Sequence, residues 1–110
     1  MSFEIIVTEP FEKKLKPLLK KYKSISKDLA GLFEELSGNP TLGTPLGKDC
    51  FKIRLAISSK GKGKSAGARI ITYVRIVKNR VYLMDIYDKS DQSTISNKEL
   101  VFLLDLLSKD

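Results

Sequence analysis

The sequence predicts an α+β domain with helices layered on a mostly antiparallel sheet, in the order β-α-α-β-β-β-α. Three observations predict it. Residues 51–58 alternate apolar and polar side chains with the period of two of a half-buried strand. Two β-branched runs follow, each bounded by turn residues. Stretches before and after this region carry apolar residues at helical spacing instead. The 110 residues make one domain, 1–110, rather than two.

Phe3 to Thr8 is a short β-rich run and the expected N-terminal strand. Thr8-Glu9-Pro10 then supplies a capping hydroxyl and a first-turn proline, the start of a helix. Phe11, Leu15, Leu18, Leu19 and Tyr22 form its apolar stripe, with lysines on the other face. Pro17 removes a backbone donor, so a kink or stop is expected there. Ser24 or Ser26 caps a second helix bearing Ile25, Leu29, Leu32, Phe33 and Leu36, and Gly38-Asn39-Pro40 ends it. The two helices form a hairpin, and Thr41 to Asp49 reads as a loop.

A three-stranded antiparallel meander is expected next. Phe51, Ile53, Leu55 and Ile57 mark the apolar face of its first strand, with Lys52 and Arg54 together on the other. Lys60 to Gly67 reads as a flexible turn, Arg69 to Ile76 as the return strand and Val81 to Tyr87 as the last. Ser96-Asn97-Lys98-Glu99 is a capping-box pattern ahead of a C-terminal helix. The apolar residues of that helix cover more than one stripe, which suits burial against two surfaces or a partner.

Composition excludes several chemistries. Histidine is absent, so there is no Ser-His-Asp triad, no Cys-His pair and no His-ligated metal. Proton transfer falls to Lys, Tyr, Asp, Glu, Arg or water. A lone cysteine, Cys50, makes neither an internal disulfide nor a thiolate zinc site, and reads as a small apolar strand residue of a cytoplasmic protein. No segment approaches the roughly 18 apolar residues of a membrane span. Met1 to Ile5 lacks the pattern of a signal peptide.

The formal net charge of +7 is unevenly spread. Residues 48–69 hold Lys48, Lys52, Arg54, Lys60, Lys62, Lys64 and Arg69 against Asp49 alone. A block of this kind is either a solvated loop or the footprint of a polyanion contact. The loop is not a P-loop, because Gly63-Lys64-Ser65 lacks the glycine five positions earlier and a strand follows it. It suits a nucleic-acid backbone, and makes Lys48, Lys60, Lys62 and Lys64 candidate RNA contacts. Lys52 and Arg54 repel each other unless an anion lies between them, and Arg69 on the adjoining strand completes a cluster suited to a phosphoryl-transfer transition state. Tyr73, Tyr82 and Tyr87 either pack in the sheet or stack on a base; Tyr73 is a candidate RNA contact, and Tyr87 stands at a strand end.

The stretches Cys50 to Leu55, the insertion SKGKGKSAGAR, Arg69 to Tyr73 and Leu83 to Ser90 together resemble the RelE/ParE superfamily of toxins from type II toxin–antitoxin systems, and most of all its HigB-type branch. The resemblance implies a ribosome-dependent mRNA endoribonuclease, an mRNA interferase that leaves 2′,3′-cyclic phosphate and 5′-hydroxyl ends. It implies no metal and no cofactor, and as partners a cognate antitoxin, the 70S ribosome and A-site mRNA, with no membrane. By position, Lys52 and Arg54 match the family's basic pair, one of them a general base or charge partner for the 2′-hydroxyl. Arg69 matches the phosphate-stabilising arginine, and Lys89 the basic position after the last strand. Where the family has an arginine after that lysine and a tyrosine near the C-terminal segment, this chain has Ser90 and Ser96, so either Tyr87 supplies the aromatic, or this branch reacts differently, or its activity is weak. Two other readings stand beside it: a ParE-like inhibitor of DNA gyrase that cuts no RNA, and a non-toxic basic nucleic-acid-binding module.

Overall fold

The structure, a computed structural model, describes residues 2–61 and 63–107. Five strands and three α-helices alternate along it: β1 (Glu4–Val7), α1 (Glu9–Lys21), α2 (Ile25–Gly38), β2 (Thr44–Gly47), β3 (Cys50–Leu55), β4 (Ala68–Arg75), β5 (Arg80–Asp88) and α3 (Asn97–Leu107). The sheet order is β1-β5-β4-β3-β2. β1 lies parallel to β5, and the other pairings are antiparallel. The α+β class and the meander β3-β4-β5 are as the sequence predicts.

The helix hairpin begins as expected. Thr8 caps α1, its hydroxyl accepting from the Phe11 N–H at 3.5 Å and donating to the Leu83 carbonyl at 2.7 Å. The helix does not stop at Pro17 but continues to Lys21. An interior proline costs about 3 kcal/mol. Phe11 and Leu18, buried on either side of it, return about 1.5–3 kcal/mol each, so burial wins. Ser24 precedes α2 but makes no capping bond; its hydroxyl donates to Asp28 at 2.9 Å instead.

β2 is a correction, since residues 41–49 read as a loop. Thr44-Pro45-Leu46-Gly47 has no alternation of its own. It pairs with β3 at the sheet edge, where Pro45 is tolerated beside a register shift. Lys48 and Asp49 join the two strands with φ of 55° and 61°. Positive φ at both central residues is what the twist of a two-residue hairpin needs. A Lys-Asp pair does not advertise it.

The sheet is buried on both faces. Ile53, Leu55, Ile70, Val74, Val81, Leu83 and Ile86 meet the buried faces of α1 and α2. Cys50, Ile71, Met84 and Tyr87 form the opposite face, against Leu100, Leu103, Leu104 and Leu107 of α3. A bulge makes this division possible. Ile71 pairs Asp85 and Thr72 pairs Leu83, which leaves Met84 as an extra residue and reverses the alternation of β5 beyond it. Asp85 and Tyr87 therefore face α3, while Ile86 and Asp88 face the helix hairpin. Ser96 caps α3, accepting from the Glu99 N–H at 3.1 Å. In α3 Leu100 is buried and Leu103, Leu104 and Leu107 are half-buried, while Phe102 is 62% exposed. Among the described residues no helix is long and apolar enough to cross a membrane.

Candidate functional site

Alternation along β3 puts Lys52 and Arg54 on the face opposite Ile53 and Leu55. Register then sets Arg54 opposite Arg69, and Arg69 opposite Tyr87. The three cations expected to act together thus share one face, and among the described residues none of them is in an ion pair.

Their exposures differ. Arg54 is exposed, Lys52 is half-buried and Arg69 is 3% exposed. The Arg69 guanidinium turns onto backbone carbonyls, donating to Lys64 at 2.9 Å, Ala68 at 3.1 Å and Ser65 at 3.2 Å. Carbonyl dipoles stand where a counter-anion would. This relieves the repulsion between two arginines directly opposite each other.

The described residues between Ser58 and Gly67, expected as a turn from their glycines and lysines, carry local structure. They contain single 3₁₀ turns at Ser58–Lys60 and Lys64–Ala66. Four successive carbonyls, 64 to 67, each accept a hydrogen bond. The first two take theirs from Arg69, the third from the Lys60 ammonium at 2.9 Å and the fourth from the Lys89 N–H at 3.0 Å. Gly67 closes the segment against β3, where a Cβ would stand 2.0 Å from the Leu55 carbonyl oxygen. Asp28 of α2 fixes the other end, accepting from Ser58 N–H at 2.9 Å and its hydroxyl at 2.5 Å.

Lys60 is the second cation whose placement departs from the sequence reading. Its ammonium donates to Asp88 at 2.8 Å as well as to Ala66, and lies 5.3 Å from the centre of the Tyr22 ring. Asp88 also accepts from the Tyr22 hydroxyl and from Ser90, through N–H at 3.0 Å and Oγ at 2.7 Å. Burial alone would push the Asp88 carboxyl up, but the bonds from Lys60, Tyr22 and Ser90 hold it well below the usual carboxylate range. Lys60 is thereby a structural tie rather than a free surface charge.

β2 pairs with β3 only as far as Lys52, which leaves the edge beyond it open. A cavity of about 510 Å³ lies there. Lys52, Arg54 and Lys64 line it, with Asp28 and Glu35 of α2 on its wall. Gly43 shapes the rim at φ +105°, where a Cβ would lie 2.5 Å from the Lys52 carbonyl oxygen. Three cationic residues among those that line it suit it to a phosphodiester.

No protein family model matches the chain. Among solved structures it is similar to the E. coli toxin RelE, in a free-state variant with two arginines changed to alanine. The TM-score is 0.60 at 21% identity, over 84% of this chain and 90% of that one. The chain has the RelE fold.

On this RelE scaffold the remaining candidates separate. Lys48 is exposed at the β2–β3 turn, and Lys64 is exposed at the cavity. Lys62 lies outside the described residues. Lys89 is half-buried beside the segment its N–H holds. Tyr73 is half-buried and stacks on Tyr82, ring centres 5.9 Å apart. Tyr87 lies beneath α3, 4% exposed, its hydroxyl buried without a hydrogen-bond partner among the described residues. Burial raises its pKa, the charges of Asp85 and Glu99 add to that, and Arg69 opposes them. Sequence reasoning missed Asp28, because its partner Ser58 lies 30 residues away.

Proposed function

We propose that this protein is the toxin of a type II toxin–antitoxin system, of the HigB-type RelE branch, and that it cuts mRNA in the A site of the translating 70S ribosome in the cytoplasm. The observation that carries the proposal is the open cavity at the β3 edge with Lys52, Arg54 and Lys64 on its surface, in a RelE fold. A chain without histidine has these cations with which to handle a phosphodiester.

In the proposed reaction the 2′-hydroxyl oxygen attacks the adjacent phosphorus and the bond to the 5′-oxygen breaks. The 2′ proton passes to a base and the departing 5′-oxygen takes up a proton. The products are a 2′,3′-cyclic phosphate and a 5′-hydroxyl, and no metal or cofactor is required. Arg54 suits the non-bridging oxygens, where charge grows. Lys52, two residues away on the same face, is placed as the charge partner of the 2′-oxygen as its proton leaves. Lys48, Lys64 and the lysine face of α1 contribute contacts to RNA phosphates, so binding weakens steeply with salt. A cognate antitoxin silences the activity.

Toeprinting on purified ribosomes carrying an mRNA tests the reading. The wild-type protein cuts within the A-site codon, and the Lys52→Ala/Arg54→Ala double variant loses at least about 100-fold in rate. Unchanged cleavage by that variant, or inhibition of gyrase supercoiling without any RNA cut, would overturn it. A gyrase inhibitor has no use for the cation-lined cavity.

A further inference from the structure

We infer that Lys64 is the third cation facing the RNA backbone, and that Arg69 is a positioning residue that holds Lys64 in place. This assignment rests on the RNA-cleavage reading above and changes which residues perform it.

The geometry separates the two roles. Arg69 shares a face with Lys52 and Arg54, but three of its N–H donors already go to the carbonyls of Lys64, Ser65 and Ala68, and it is 3% exposed. A phosphate reaching it would have to displace the segment that covers it. Lys64 is exposed and lines the same cavity as Lys52 and Arg54. Its own carbonyl is one of those Arg69 grips, at 2.9 Å. The guanidinium thus acts on the RNA site through the backbone of the residue it anchors. A planar fork of donors suits this work, since one ammonium cannot grip carbonyls spread over several residues.

The rest of the segment is built to the same end. Lys60 is tied to Asp88 and to the Ala66 carbonyl, and Gly67 has no room for a side chain against Leu55. The carbonyls of residues 64–67 are all bonded, and of this stretch Ser58 and Lys64 line the cavity, with Lys64 supplying the charge. A lysine held this way adds one phosphate contact without paying to order its loop on binding.

The test is steady-state cleavage of mRNA on programmed ribosomes across a salt series, with thermal melting of each variant. Lys64→Ala is expected to raise KM about tenfold with kcat within about twofold, to lower the salt slope by about one and to melt as wild type does. Lys64→Arg restores KM. Arg69→Lys keeps the charge but loses the grip, so it shows the same KM rise, and adding Lys64→Ala to it costs nothing further. Arg69→Gln serves as a second variant should Arg69→Lys fail to fold, with the same expectation. A wild-type KM in Lys64→Ala, or losses that multiply in the double variant, overturns the assignment while leaving the cleavage reading standing. Absence of cleavage by the wild-type protein overturns both.

Discussion

Arg54 and Arg69 occupy directly opposed positions on β3 and β4, yet only Arg54 meets solvent. Two like charges so placed destabilise a sheet by roughly 0.2–1 kcal/mol relative to a neutral pair. The proposed RNA cleavage is a reason to keep both. Arg54→Thr is therefore expected to raise thermal stability by up to about 1 kcal/mol while mRNA cleavage falls. Melting and toeprinting on the same preparation check the two halves. A variant that melts lower would show that Arg54 is stabilised by its surroundings.

Asp88 joins α1, β5 and the 58–67 segment through Tyr22, Ser90 and Lys60. Removing the charge with Asp88→Asn leaves Lys60 unpaired in a largely buried site and is expected to cost about 3–5 kcal/mol. The folded-state pKa of Asp88 is depressed, so its contribution is complete above the ordinary aspartate value of 3.8 and is lost as pH falls toward the folded value. Asp85 has the opposite sign: burial raises its pKa, outweighing Lys14 at 3.6 Å, so protonating it favours the fold. The gap between wild type and Asp88→Asn should shrink from pH 7 to pH 2 in urea titrations. A gap independent of pH would mean that the Asp88 charge contributes nothing.

Gly67 and Gly31 predict opposite signs for the same substitution. At Gly67 a Cβ meets the Leu55 carbonyl oxygen at 2.0 Å and the backbone has to move, which costs about 1–3 kcal/mol. At Gly31, within α2, nothing lies within 4 Å of an added Cβ. Alanine is favoured over glycine in a helix by roughly 0.5–1 kcal/mol, so Gly31→Ala stabilises. Chemical denaturation of both variants checks this, and destabilisation by Gly31→Ala would contradict the open space around it.

The Tyr87 hydroxyl is buried beside apolar residues of α3 with no hydrogen-bond partner among the described residues. An unsatisfied hydroxyl carries a desolvation penalty of about 1–3 kcal/mol. Tyr87→Phe keeps the ring and removes the penalty, so the melting temperature is expected to rise. A fall would reveal a hydrogen bond to that oxygen in solution.

Local pattern determined much of this protein. The alternation from Phe51 to Ile57, the caps at Thr8 and Ser96, and the stripe of Ile25, Leu29, Leu32 and Leu36 each express a period or a bond within a few residues, so they are readable one segment at a time. The pairing of Lys52 with Arg54 on one face follows from the same period. Tertiary structure decided the rest. β2 is a strand because β3 offers an edge to a stretch with no strand pattern, and Tyr87 faces α3 because the bulge at Met84 reverses the alternation of β5. It also decided which cations are free, since Lys60 and Arg69 find acceptors only when the loop folds back over β4 and β5. Charge is written in composition, but its availability depends on partners that distant parts of the chain bring within reach.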